Sequence, residues 1–188
     1  MNLKKRIIVF ILLLLAIIFL LVIAVLDSCQ ESDMRSRKAV SQFAKLVEQG
    51  EMDSLSLKIY FMSPYTLTPY PYSIDDIIRA TSEDEIIIIG SSLKEHIDVL
   101  KQLNNDRLVK VEQESYIDAR VYYVFYKGTR KIFDVAMWGK DNSIFVNGFE
   151  IKEDDIFYDI IIPFLPEGAI DRLRDYLFWE DEGAVPPS

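Results

Sequence analysis

Twenty consecutive apolar residues, beginning at Ile7 and ending at Leu26, constrain this chain more than any other feature. At about 1.5 Å of rise per residue such a run makes a helix of about 30 Å, the thickness of a bilayer's hydrocarbon core. Three readings compete for it. A cleaved signal peptide shares the basic start, here Lys4, Lys5 and Arg6. Its apolar core is shorter, however, at about 7 to 15 residues, and no A-x-A pattern follows this run. A lipoprotein signal would use Leu26-Asp27-Ser28-Cys29, with Cys29 as the lipidated residue. Leu26 and Ser28 suit that motif, Asp27 does not, and the run is again long for it. Length favours an uncleaved signal anchor whose ends are Ile7 and Leu26.

The flanks set an expected orientation. Three basic residues precede the run, whereas Asp27, Glu31 and Asp33 follow it. The positive-inside rule puts the N-terminus in the cytoplasm and the remaining chain outside, at the cell membrane as a single-pass protein. Arg35, Arg37 and Lys38 reduce the contrast.

The charge is lopsided. After the run come 18 basic and all 30 acidic residues, a net −12. That part of the chain repels nucleic-acid phosphates, so nucleic acid is not an expected partner. Cys29 is the single cysteine, which excludes an intramolecular disulfide. No Asn-x-Ser/Thr acceptor occurs. The expected organisation is an anchor at 1–26, a polar juxtamembrane segment and helix at 27–50, one α+β domain at 51–179, and a disordered acidic tail at 180–188.

Beyond the anchor the periodicities alternate between helix and strand. Val40, Phe43, Ala44 and Val47 form one helical stripe, with Gly50 as the stop. Leu55, Leu57, Ile59 and Phe61 alternate as the inward side of a strand. Three prolines hold Ser63 to Tyr72 extended as a surface loop carrying Tyr65, Tyr70 and Tyr72. Ser73 and Asp76 form a capping-box start for a short helix with Ile74, Ile77 and Ile78. Ile86 to Ile89 reads as a strand covered on both faces. Ser92 and Glu95 would cap a helix striped with Leu93, Ile97, Leu100 and Leu103, returning as a strand from Arg107 to Val111. Strand, helix and strand at that spacing suggest a right-handed crossover.

The next part reads as an antiparallel meander. Tyr116 to Tyr126 alternates, with Ile117, Ala119, Val121, Tyr123 and Phe125 on one side. Turns follow at Lys127 to Arg130 and Gly139 to Asn142, and Asn147-Gly148 is a strong hairpin signal. Glu153, Asp154 and Asp155 precede a helix with Ile156, Phe157, Ile160 and Ile161. Pro166 opens a last one with Ile170, Leu173, Tyr176 and Leu177. The expected fold class is α+β, helices packed on a mainly antiparallel sheet behind one transmembrane helix.

The run Lys131 to Gly139, then Ser143 to Gly148, together with the Tyr/Pro loop, resembles a family of uncharacterised single-span membrane-anchored proteins from Gram-positive anaerobic bacteria. The resemblance covers about Leu55 to Leu165. It implies a domain of unknown function and brings no activity, cofactor or site residues with it.

Chemistry-bearing patterns are sparse. His96 is the single histidine and shares its helix with Leu93, Leu100 and Leu103, which suits a half-buried structural ring. The acidic clusters at Asp75-Asp76, at Glu83 to Glu85, at Glu153 to Asp155 and at Glu180 to Glu182 do not match a calcium loop. Gly90-Ser91-Ser92 lacks the glycine spacing of a phosphate cradle and reads as a helix cap. No catalytic residue, metal site or cofactor is expected. Tyr65, Tyr70 and Tyr72 are the candidate binding residues, since exposed phenol rings stack on sugars or grip a partner chain. The competing role for these rings is to fold back and lid the sheet.

The expected function is an extracytoplasmic binding or accessory module at a bacterial cell envelope. Its partners would be the lipid bilayer and either envelope glycan or a membrane protein. A cell-wall-acting hydrolase is one alternative and an immunity, or self-protection, protein another.

Overall fold

The structure is a computed structural model. It describes residues 3–62, 66, 68–113, 115–137 and 143–170, with only the backbone for residues 3–9, 11–12 and 21–30. The chain divides into two compact units, Met1–Arg35 and Ser36–Ser188.

The first unit is helical. Helix α1 has the bounds Leu3–Glu48, so the backbone of residues 7–26 is helical throughout. Of that run the side chains of Phe10 and residues 13–20 are described. All the large ones, from Phe10 at 69% to Ile17 at 46%, are exposed. Among the described residues no helix is long and apolar enough to cross a membrane. The side chains of Ile7, Leu26 and Cys29 lie outside the described set.

The second unit is α+β. Six strands, β1 (Leu55–Phe61), β2 (Ile86–Ile89), β3 (Val121–Lys127), β4 (Arg130–Met137), β5 (Ile144–Val146) and β6 (Phe149–Ile151), form one sheet in the order β2-β1-β3-β4-β5-β6. Every neighbouring pair in it is antiparallel. The short helices are α2 (Ile74–Thr81), α3 (Gly90–Lys94), α4 (Ile97–Leu100) and α5 (Ile156–Asp159).

Residues 36–48 of α1 belong to this unit and press one stripe onto the sheet. Val40, Phe43 and Val47 are buried there at the expected spacing, while Ala44 is half-buried. The Phe43 ring sits 4.6 Å from that of Phe125 and 5.1 Å from that of Phe133. Those two rings stack on each other, also at 5.1 Å. Burying a phenylalanine contributes about 1.5–3 kcal/mol, so this aromatic group anchors the helix firmly. Higher on the same face, the buried Ser36 hydroxyl donates to the Val146 carbonyl at 2.8 Å. Gly50 ends the helix in the left-handed region, φ 72°, as a glycine past a helix end commonly does.

The expected alternation holds for the middle of the sheet. Leu55, Leu57, Ile59, Tyr123, Phe125, Phe133 and Val135 face this main core. Tyr60, Tyr122, Val124, Ala136 and Phe145 face the other side, where α2 covers them with Ile74, Ile77 and Ile78. The hairpin joining β5 to β6 turns on Asn147 (φ 50°) and Gly148 (φ 78°), both left-handed as a type I′ turn requires.

Four expectations are corrected. First, β2 is an edge strand pairing with β1 alone. Ile86 and Ile88 face the core, but Ile87 and Ile89 are 53% and 62% exposed, so the isoleucine run is covered on one face only. Second, there is no crossover unit among the described residues. Between α4 and β3 the described residues contribute a single antiparallel bridge, Lys110 to Ile151, on the β6 edge of the sheet.

Third, the 90–100 region is two short helices and Ser92 is not a cap. Ile89 precedes α3, and Gly90 is helical. A Cβ on Gly90 would stand 1.9 Å from the Met52 carbonyl oxygen, so this glycine serves a close backbone approach. The chain breaks at His96, whose ring meets that of Phe164 edge-on at 5.0 Å. Fourth, β3 begins at Val121 rather than Tyr116. Ile117 and Ala119 pack on the α2 side, opposite to the expected face. The Ala119 N–H bonds the Tyr72 carbonyl at 2.8 Å, so the Tyr/Pro loop takes the place of a ladder partner.

Trp138, the turn at 139–142, Leu173, Tyr176, Leu177 and the 180–188 tail lie outside the described residues.

Candidate functional site

The α2-covered side of the sheet holds the most distinctive chemistry in the second unit. A β-bulge creates it. Across β3 and β4 the register runs Val124 to Asp134 and Phe125 to Phe133, then skips to Tyr126 opposite Lys131. Ile132 is the extra residue. In a regular strand Lys131 would share a face with Phe133 and Asp134 would point the other way. The bulge returns Lys131 to the face of Asp134, the kind of re-aiming for which bulges are known.

Lys131 Nζ therefore lies 2.7 Å from Asp134 Oδ2. Tyr122, diagonal to Asp134 on the neighbouring strand, donates its hydroxyl to the same oxygen at 2.9 Å. Asp134 is only 4% exposed. Its other carboxylate oxygen, Oδ1, is buried and has no hydrogen-bond partner among the described residues. A buried acceptor left unpaired costs about 1–3 kcal/mol, so Asp134 is an expensive residue for a sheet to keep. The strand is fixed around it: the Asp134 N–H donates to Asn147 Oδ1 at 3.0 Å, and the Asn147 N–H donates back to the Asp134 carbonyl at 2.9 Å.

Around this carboxylate opens a groove of about 550 Å³. Its walls are Ile74, Asp75 and Ile78 of α2, Pro71 and Ser73 of the loop before it, and Ile117. Tyr122, Lys131 and Asp134 supply the polar part from the sheet. The helical wall is placed by a complete capping box: Ser73 Oγ accepts from the Asp76 N–H at 3.2 Å, and Asp76 Oδ2 accepts from the Ser73 N–H at 3.2 Å. The Ser73 hydroxyl and N–H together hold the Asp76 carboxyl below its ordinary range.

A second polar patch adjoins on the same face. Tyr60 stacks on Tyr122 with ring centres 5.8 Å apart. Lys58 reaches Glu85 at 3.4 Å. Burial, reinforced by Glu85, pushes the Tyr60 phenol up to about 12. Burial also raises the Tyr122 phenol well above its usual value, with the Asp134 charge adding to it. Both phenols are hydrogen donors at neutral pH.

The sequence-predicted tyrosines fall differently. Tyr65 lies outside the described residues. Tyr70 is 57% exposed and leans on Tyr72, with ring centres 5.8 Å apart. Tyr72 is half-buried on the α2-side core. The Arg120 guanidinium stands 5.7 Å from the centre of its ring. Arg120 also donates to the Thr68 hydroxyl at 2.9 Å and pairs with Asp118, whose carboxylate accepts the Tyr72 N–H at 3.0 Å. So Tyr72 serves the lid and Tyr70 keeps an open face. From this loop the groove takes Pro71 and Ser73 rather than the two described tyrosines.

Asp75-Asp76 and Glu153 to Asp155 lie at helix starts, and Glu180 to Glu182 lie outside the described residues. A groove of about 510 Å³ runs past Gln102, Arg107, Asp154, Asp155 and Asp159. In it Asp154 is already engaged by Arg107 at 3.1 Å and by the Ile156 N–H at 3.1 Å. A further buried carboxylate, Glu150, is satisfied by the Ser115 hydroxyl at 2.7 Å and by the Ser115 N–H. Among the described residues no group of three or more His, Cys, Asp or Glu is placed to hold a metal ion.

Sequence reasoning passed over Tyr122, Lys131 and Asp134. One signal was present: Asp134 interrupts the apolar run Ile132-Phe133-Asp134-Val135-Ala136-Met137, and a charge inside a central strand asks for a partner. No protein-family model, curated protein or solved structure matches this chain, and the reading of the groove rests on its own geometry.

Proposed function

We propose that this protein is a single-pass, membrane-anchored binding or accessory module of a bacterial cell envelope. Its N-terminus is cytoplasmic and its second unit extracytoplasmic, with the groove at Asp134 as the ligand seat. The observation that carries the binding reading is the buried Asp134 carboxylate with one oxygen unpaired, set in a groove with apolar walls. Few convergent polar groups in an apolar recess is the usual make-up of a ligand site. The anchor rests on the twenty-residue apolar run and its basic flank. Tyr70, exposed one residue before Pro71 of the groove wall, offers a ring face for envelope glycan or a membrane-protein partner.

A cell-wall-acting hydrolase is the second reading, and one observation favours it: Asp75 and Asp134 line the same groove. Against it, both contacts of Asp134 are donors to its Oδ2, an arrangement that holds a carboxylate as an acceptor.

The test is photo-crosslinking in intact cells with a benzophenone residue at Ile78, then pulldown of the full-length protein. One discrete adduct, lost when Ile74→Trp fills the groove, supports the seat; labelling that ignores the filled groove overturns it. Protease added to sealed cells should remove the second unit, and its complete survival would overturn the topology.

A further inference from the structure

We propose that the groove takes a primary ammonium group carried on a compact apolar stem, and that Lys131 occupies its place as an internal, displaceable stand-in. This assignment deepens the ligand-seat reading and rests on it.

The two partners of the salt bridge differ sharply in mobility. The Asp134 side chain is 6% exposed and fixed by strand contacts on both flanks, whereas the Lys131 side chain is 49% exposed. A lysine at that exposure regains side-chain entropy as it swings into water, but it leaves behind a buried carboxylate whose charge then calls for another cation. Asp134 has no such freedom. With Lys131 swung out, its carboxylate would keep the Tyr122 hydroxyl and face the groove with an uncompensated negative charge. An ammonium arriving from the groove has three donors, and one of them can replace the Lys131 contact to Oδ2.

The groove walls select the stem that carries the ammonium. Ile74, Ile78, Ile117 and Pro71 stand beside it, so a short apolar stem is accommodated. Among the described residues of the lining, Asp75 is the second negative charge and Lys131 the single positive one. When Lys131 leaves, both remaining charges favour a cation and disfavour an anion. The seat already holds an ammonium at 2.7 Å, so the geometry for this group is present in the fold.

The probe is butylammonium, compared with n-butanol of matching shape, titrated into the full-length protein in nanodiscs. Methyl resonances of Ile74, Ile78 and Ile117 report the groove. Butylammonium should shift them saturably, with butanol about tenfold weaker or more, the ratio expected for one charge-assisted contact. Lys131→Met should tighten butylammonium about tenfold by removing the internal competitor. Asp134→Asn, which keeps shape and an acceptor for Tyr122, should abolish the preference for the ammonium. Equal response to both probes, no response to either, or unchanged affinity in Lys131→Met overturns the ammonium assignment. The crosslink lost on Ile74→Trp tests the ligand seat separately, so failure of one leaves the other readable.

Discussion

Lys131 and Asp134 lie three residues apart on one strand yet meet at 2.7 Å on a single face of the sheet. The residue that permits this is Ile132, inserted by the bulge opposite Phe125 and Tyr126 and itself packed into the main core. A local irregularity thus couples the large core on one side to a charge network on the other.

Tyr122 is the inner partner of that network. Tyr122→Phe removes the hydroxyl that bonds Asp134 Oδ2 and leaves a buried carboxylate with Lys131 alone. The expected loss is about 1.5–3 kcal/mol, the range for a hydrogen bond to a charged group. Urea unfolding of the two proteins at neutral pH measures it, and a change under about 0.5 kcal/mol would show that the carboxylate finds other solvation.

Two glycines should respond unequally. Gly90→Ala drives a Cβ to 1.9 Å from the Met52 carbonyl oxygen, so backbone must move, at about 3 kcal/mol or more. Gly50→Ala meets nothing within 4 Å and carries only the left-handed penalty, about 1–2 kcal/mol. Thermal midpoints of both variants give the order, and a reversed order would contradict the close approach.

The end of α1 is part of the folded unit. Phe43→Ala should cost about 3–5 kcal/mol, because its ring contacts both Phe125 and Phe133 in the main core. A chain starting at Ser36 should unfold cooperatively, whereas one starting at Glu51 should bind a hydrophobic dye and lose its sharp transition. Equal cooperativity in the two would place the helix outside the core.

Alkaline pH should destabilise the fold before the tyrosines on the sheet ionise in place. The Tyr60 phenol is raised from 10.0 to about 12, and that of Tyr122 is raised further. In the unfolded chain both ionise near their ordinary value, so the unfolded state binds fewer protons above it. Stability from these groups is full below about pH 10 and is lost as pH rises toward 12. Tyrosinate absorbance against pH should lag for these rings in the folded protein. Tyr60→Phe should flatten the decline, and an unaltered profile would show that Tyr60 contributes nothing to it.

How much of this was legible in the chain depends on how local each cause is. The Asn147-Gly148 turn, the stop at Gly50 and the Ser73–Asp76 cap all sit where the sequence points, because each depends on the backbone of a few adjacent residues. The stripe of Val40, Phe43 and Val47 was legible for the same reason: helical period alone aligns it. By contrast, whether Ile86 to Ile89 is central or edge depends on which strands β1 accepts as neighbours, and residues 121–127 fill the other side. The contact of Gly90 with Met52 is likewise decided by a distant segment, and the bulge at Ile132, though within one hairpin, is decided by the register of β3 against β4. Sequence by itself determined the N-terminal helix, the turns at Gly128 and Asn147-Gly148, and the α+β class. Tertiary structure alone decided that Tyr122, Lys131 and Asp134 converge in one groove, because the face a strand residue takes is set by its partners' register and not by its own side chain.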